Sequence, residues 1–85
     1  MESNQNELIH NLEKLHTTEL GVARMKRNLS FHVDDVVEWC SEKIQKPNAT
    51  IARHGKNWYI TVDGFEITVN ASCYTIITVH KLKRS

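Results

Sequence analysis

At Thr50 the spacing of apolar residues changes. Upstream they recur at intervals of three and four, and downstream they alternate. A helical half followed by an alternating half is confined to an α+β fold, because strands joined by turns too short for a helical crossover must pair antiparallel. The downstream half reads as "TIARH", a tight "GK" turn, "NWYITV", the hairpin signal "DG", then "FEITVN", and "AS" leading into "CYTIITVHK". This predicts a four-stranded antiparallel meander over about residues 49–81.

Strict alternation assigns the two faces. Trp58, Ile60 and Val62 point one way, Phe65, Ile67 and Val69 continue that layer, and Ile77 with Val79 extend it on the last strand. Helices are expected to cover this layer, with Trp58 in the core. The opposite face then carries Ile51 or Arg53, Tyr59, Thr61, Glu66, Thr68, Tyr74, Ile76, Thr78 and His80. Such a face is polar, aromatic and titratable.

About three helices are legible upstream, over residues 4–46. Leu8, Leu12 and Leu15 make an amphipathic helix over residues 4–15, with Ile9 beside them. "HTT" marks a break near His16, with Thr17 or Thr18 capping a second helix, "ELGVARMKRNL", whose last turn is cationic. Gly21 inside it points to a close approach. A connector at 30–33 precedes a third helix, capped by Asp34 or Asp35, with Val36, Val37, Cys40 and Ile44 as its core stripe and Pro47 beyond its end. Trp39 falls off that stripe, to cap the core edge or meet a partner.

Eighty-five residues form one domain with a thin core and a short basic tail at 82–85. Cys40 and Cys73 lack metal-ligand spacing, and no secretory leader or apolar span of about 20 residues is present, which favours free thiols in a soluble, cytoplasmic protein with no membrane partner. A Cys40–Cys73 disulfide is the alternative. Neither a cofactor nor a metal is expected, since no Gly-rich phosphate loop or ligand cluster occurs. The net charge of +1 hides an asymmetry: residues 1–45 hold five Lys/Arg against eight Asp/Glu, and residues 46–85 hold six against two. The second half is the better anion-facing surface.

Together "LHTTELGVARMKRNL", "DDVVEWCSEKI", "GKNWYITV" and "ITVNASCYTIITVHK" resemble an uncharacterised bacterial family of small domains of unknown function, over roughly residues 15–81. More weakly, helices bearing "RMKR", a helix ending before Pro47 and strands closing on "IITVHK" are similar to the small metal-independent ribonuclease toxins of the barnase, EndoU, colicin and RelE superfold. That likeness implies an RNA-facing open sheet.

Metal-independent RNA cleavage needs a base, an acid and a cation. Glu66, His80 and Arg53 are the residue types for those roles. Thr78 can bond a phosphate, Tyr59 or Tyr74 can stack on a base, and Arg24, Arg27 and Lys56 can meet the backbone. The same residues equally make a solvated face with cross-strand pairs, and the Arg24/Arg27 cluster equally suits a helix C-terminus. His16 is either an acid/base from the helical layer or a residue bonding the helix break. Cys73 has no activating base at a recognisable spacing. Two functions compete: an RNA-binding or RNA-cleaving domain, and a non-catalytic module (inhibitor, antitoxin-like or phage-type regulator) docking a larger partner. The first is the leading reading and the second the alternative; the near-neutral charge stands against the first, and with the missing catalytic motif it suits the second.

Overall fold

The computed structural model describes the backbone of residues 4–29 and 35–82, and side chains from Glu7 onward within those segments. In chain order come α1 (Asn4–His10), a single 3-10 turn (Leu12–Lys14), α2 (Glu19–Leu29), α3 (Val36–Ile44), and the strands β1 (Thr50–His54), β2 (Asn57–Val62), β3 (Phe65–Asn70) and β4 (Ile76–Lys81). The connector expected at 30–33, the alternative cap Asp34 and the tail beyond Leu82 lie outside the described residues.

The expected first helix is two pieces. Asn11 folds its amide back onto the Glu7 carbonyl (2.8 Å), and its own N–H bonds Leu8 three residues back, so the α-helical ladder ends there. The following break is held as a helix start: Thr18 Oγ1 accepts the Gly21 N–H at 3.0 Å, and Asp35 does the same for Glu38 at 3.1 Å on α3. A Cβ on Gly21 would collide with the Thr17 hydroxyl, which itself donates to the Ile76 carbonyl at 2.9 Å. The close approach expected at this glycine is therefore the polar clamp that ties the start of α2 to β4.

The strands run in the order β1-β2-β3-β4, each pair antiparallel. Gly55 (φ 60°) occupies the first central position of the β1–β2 turn, and Asp63 (φ 53°) with Gly64 (φ 82°) forms the β2–β3 turn, the positive-φ pair that matches strand twist. Asp63 also anchors this turn to the end of α3 and the loop beyond it. Its carboxylate accepts from Lys43 Nζ (2.8 Å) and Asn48 Nδ2 (2.9 Å), bonds that hold its pKa well below the usual carboxylate range.

On the covered face the register aligns Ile51, Ile60, Ile67 and Val79 in one row and Arg53, Trp58, Val69 and Ile76 in the next. Leu8, Met25, Leu29, Val36, Cys40 and Ile44 close over them from the helices. Each fully buried aliphatic side chain there contributes about 1.5–3 kcal/mol. Trp39 caps the edge of this core, edge-on to Phe65 at 5.2 Å and beneath the Lys43 ammonium. Both cysteines are free thiols, so no disulfide joins them.

Alternation fails on β4. Val69 pairs with Ile76 while Thr68 pairs with Thr78, so Ile77 is an extra residue, and both Ile76 (1 % exposed) and Val79 reach the core. Ile77, expected inside, is 37 % exposed, and Ile76, expected outside, is core. Before the strand, Tyr74 sits at φ 59°, which turns its ring onto Trp58 at 5.3 Å, away from the open face. On β1 the register settles the remaining parity: Ile51 and Arg53 pair with Ile60 and Trp58 on the covered side.

Candidate functional site

The open face carries a row of His54, Asn57 and Asn70 at one end, beside two longer cross-strand rows. Thr50, Thr61, Glu66 and His80 form one, and Ala52, Tyr59, Thr68 and Thr78 form the other. Alternation dictates this arrangement, because the same strands send their branched aliphatics to the helices and leave hydroxyls for the outside. Thr68, at the centre, is only 7 % exposed. Tyr59 and Thr78 are its neighbours in the row.

Glu66 and His80 are direct cross-strand partners, as the sequence suggests for adjacent strands. His80 Nε2 lies 3.4 Å from Glu66 Oε1, with both side chains reachable from solvent. Chemically, such a pair can exchange a proton with a bound group or hold a positively charged donor between them. Beside it lies a shallow, open concavity of about 460 Å³ lined by Thr50, Ala52, His54, Tyr59, Thr61 and Glu66. The Tyr59 ring is steadied by a bond from Asn57 Nδ2 to its hydroxyl (3.3 Å) and by the tilted His54 ring 5.9 Å away. His54 was not among the sequence candidates. Its position two residues after Ala52 on the first strand is the signal that places it on this face.

The remaining sequence candidates do not converge here. Arg53, expected beside Glu66 and His80, lies across the sheet with its guanidinium 5.5 Å above the Trp58 ring and its Nε bonded to the Gly55 carbonyl. Arg24 and Arg27 are exposed on α2, which packs on β4 from the covered side. Lys56 sits in the β1–β2 turn, and Tyr74 belongs to the core margin with the Lys14 ammonium over its ring. Only Tyr59, Thr78, Glu66 and His80 of the sequence set share the open face. Among the described residues, no group of His, Cys, Asp and Glu is arranged to hold a metal ion. No described helix is long and apolar enough to cross a membrane.

His16 is fixed at the helix break, as one of its two sequence readings had it. Its Nδ1 meets the Lys14 carbonyl at 2.9 Å, and its backbone forms a short parallel bridge with Thr75. That bridge, the Thr17 clamp and an Asn28 amide bond to Val79 O (3.2 Å) occupy much of the outer edge of β4.

Neither a curated protein nor a solved structure matches the chain, so the likeness to ribonuclease toxins gains no support from comparison. One sequence-family model instead matches residues 9–80, which takes in nearly the whole fold just described. The chain belongs to that family, the proteins of unknown function designated DUF3781.

Proposed function

We propose that this protein is a non-catalytic interaction module whose open sheet face docks a larger protein partner, one that presents an arginine or lysine against Glu66. The observation that supports it is charge. Across the open-face positions of all four strands, among the described residues, Glu66 is the only Asp, Glu, Lys or Arg. A surface that binds RNA neutralises phosphates with cations, and this one offers a carboxylate, hydroxyls, a phenol, two amides and two imidazoles. The concavity beside Glu66 has room for one long side chain, and Glu66 with Thr61 supplies acceptors for a guanidinium.

One observation favours RNA cleavage as the second reading: the 3.4 Å contact between His80 and Glu66 is a workable acid/base pair. A single experiment separates the two. Immobilised native chain is expected to retain a stoichiometric protein from a host lysate, and Glu66→Lys to lose it by about tenfold or more through like-charge repulsion. Arg24→Glu, on the far side, should retain it. In parallel, total RNA in EDTA should survive incubation with the native chain. RNA degradation that disappears in both His80→Ala and Glu66→Ala would replace docking with catalysis.

A further inference from the structure

A second cluster lies at the other end of β4, independent of the open face. Cys73, Thr75 and His16 are joined by consecutive side-chain contacts, Sγ to Thr75 Oγ1 at 2.9 Å and Oγ1 to His16 Nε2 at 2.9 Å. The protons in this chain have only one consistent arrangement for a neutral imidazole. A carbonyl oxygen can only accept, so the 2.9 Å contact with Lys14 O puts the ring proton on Nδ1 and leaves Nε2 as acceptor. The single Thr75 hydroxyl proton therefore goes to Nε2, and the Cys73 S–H donates to Thr75 Oγ1. A longer contact of 3.5 Å to Asn70 Oδ1 is the competing acceptor, but that oxygen already receives the Ser72 and Cys73 N–H groups.

Holding the chain together does not require this side-chain series. The His16 N–H to Tyr74 O bond (3.2 Å) and the Ile76 N–H to His16 O bond (2.8 Å) already fasten the two segments through their backbones. Cys73 and His16 are both exposed, whereas Cys40 is fully buried in the core, where desolvation pushes its thiol up to about 12. One cysteine is thus accessible and served by a hydroxyl and an imidazole, and the other is sealed.

We infer that Cys73 is a nucleophilic thiol that exchanges with low-molecular-weight disulfides, with Thr75 relaying its proton to His16. As the Sγ–H proton passes to Thr75 Oγ1, the Thr75 proton passes to His16 Nε2. The Sγ electron pair attacks one sulfur of the incoming disulfide, the S–S bond breaks, and the imidazolium gives its proton to the departing thiolate or, where that thiolate is weakly basic, to solvent. Cys73 is oxidised to a mixed disulfide, and half of the small disulfide is reduced to a thiol. Because Cys40 is buried, no second protein thiol resolves the adduct, which persists until an external thiol reverses it. Thr75 and His16 are positioning residues in this scheme.

The test is the rate at which the native chain and its variants release thionitrobenzoate from dithionitrobenzoate at fixed pH. In the folded native chain one thiol reacts, and mass spectrometry locates the adduct on Cys73. Thr75→Val and His16→Asn should each slow the reaction about tenfold or more, a threshold set below the roughly 10²–10⁴-fold that a positioned proton acceptor typically supplies. Thr75→Ser, which keeps the hydroxyl, should restore the native rate to within about twofold, a rescue that a purely structural threonine would not give. Cys40 reports folding in every sample, since a second fast thiol marks an unfolded variant. Native rates in both folded Thr75→Val and folded His16→Asn, or a Thr75→Ser variant as slow as Thr75→Val, would overturn the proposal.

Discussion

The two faces of this sheet come from the same four strands and obey opposite rules. On the covered side the rows are filled mainly by branched aliphatics around Trp58, with Arg53, Phe65 and Lys81 at their margins, and identity at the centre is dictated by volume. On the open side the rows hold mostly threonine, with tyrosine, histidine, asparagine, one alanine and a single carboxylate, and little in the fold demands those residues. Side chains that packing does not specify are free to serve recognition. The contrast predicts that substitutions on the first face damage the fold and substitutions on the second leave the fold intact but damage what the fold presents.

The largest effect should come from the core rows. Ile67→Ala removes a fully buried side chain from the covered row between Ile60 and Val79, and urea unfolding should show a loss of about 2–5 kcal/mol. Next is the sharpest way to break the comparison, the adjacent pair on β4. Ile76→Ala should cost a similar amount and Ile77→Ala about 0.5 kcal/mol or less, because only the first points into the core. Equal costs would mean that the bulge is misplaced and the two faces exchange on this strand.

A moderate effect follows pH where Asp63 ties the β2–β3 turn to the end of α3. The Asp63 carboxyl, held low by its bonds from Lys43 and Asn48, stabilises the fold above about pH 4, the unfolded value, and that contribution disappears as pH falls further. Thermal melts of Asp63→Asn should lie below those of the native chain at pH 7 and converge with them in acid. At the other extreme, Cys40 stabilises the fold below about pH 9, and this contribution is lost as pH rises toward its folded value of about 12, so Cys40→Ala should flatten the alkaline limb of the melting profile. Smallest of all, Glu66→Gln and His80→Gln on the open face should move the melt by no more than about 0.5 kcal/mol equivalent.

Much of this contrast is written in the sequence, and the exceptions have causes. The caps Thr18 and Asp35 fix where α2 and α3 begin, and the Asp63–Gly64 turn fixes the β2–β3 register, so parity is reliable from Asn57 to Asn70. It fails on β4 because "TIITV" is branched and apolar at nearly every position, which hides the extra residue of a bulge, and because Tyr74 leaves the strand conformation altogether. Glu66 and His80 were found through their strands. Arg53 lies on the opposite face from the one its sequence suggests, because its face depends on the register with Trp58, which a five-residue edge strand does not reveal alone. The pairing of His16 with Thr75 spans 59 residues and rests on no local pattern.

The claim that the open face is a protein-docking surface is tested most directly by hydroxyl-radical footprinting of the chain, free and with its captured partner. Docking there predicts that Tyr59 and His80 lose labelling in the complex while Leu20, exposed in the first turn of α2, labels as before. Protection at Leu20 with Tyr59 and His80 still fully labelled would contradict it.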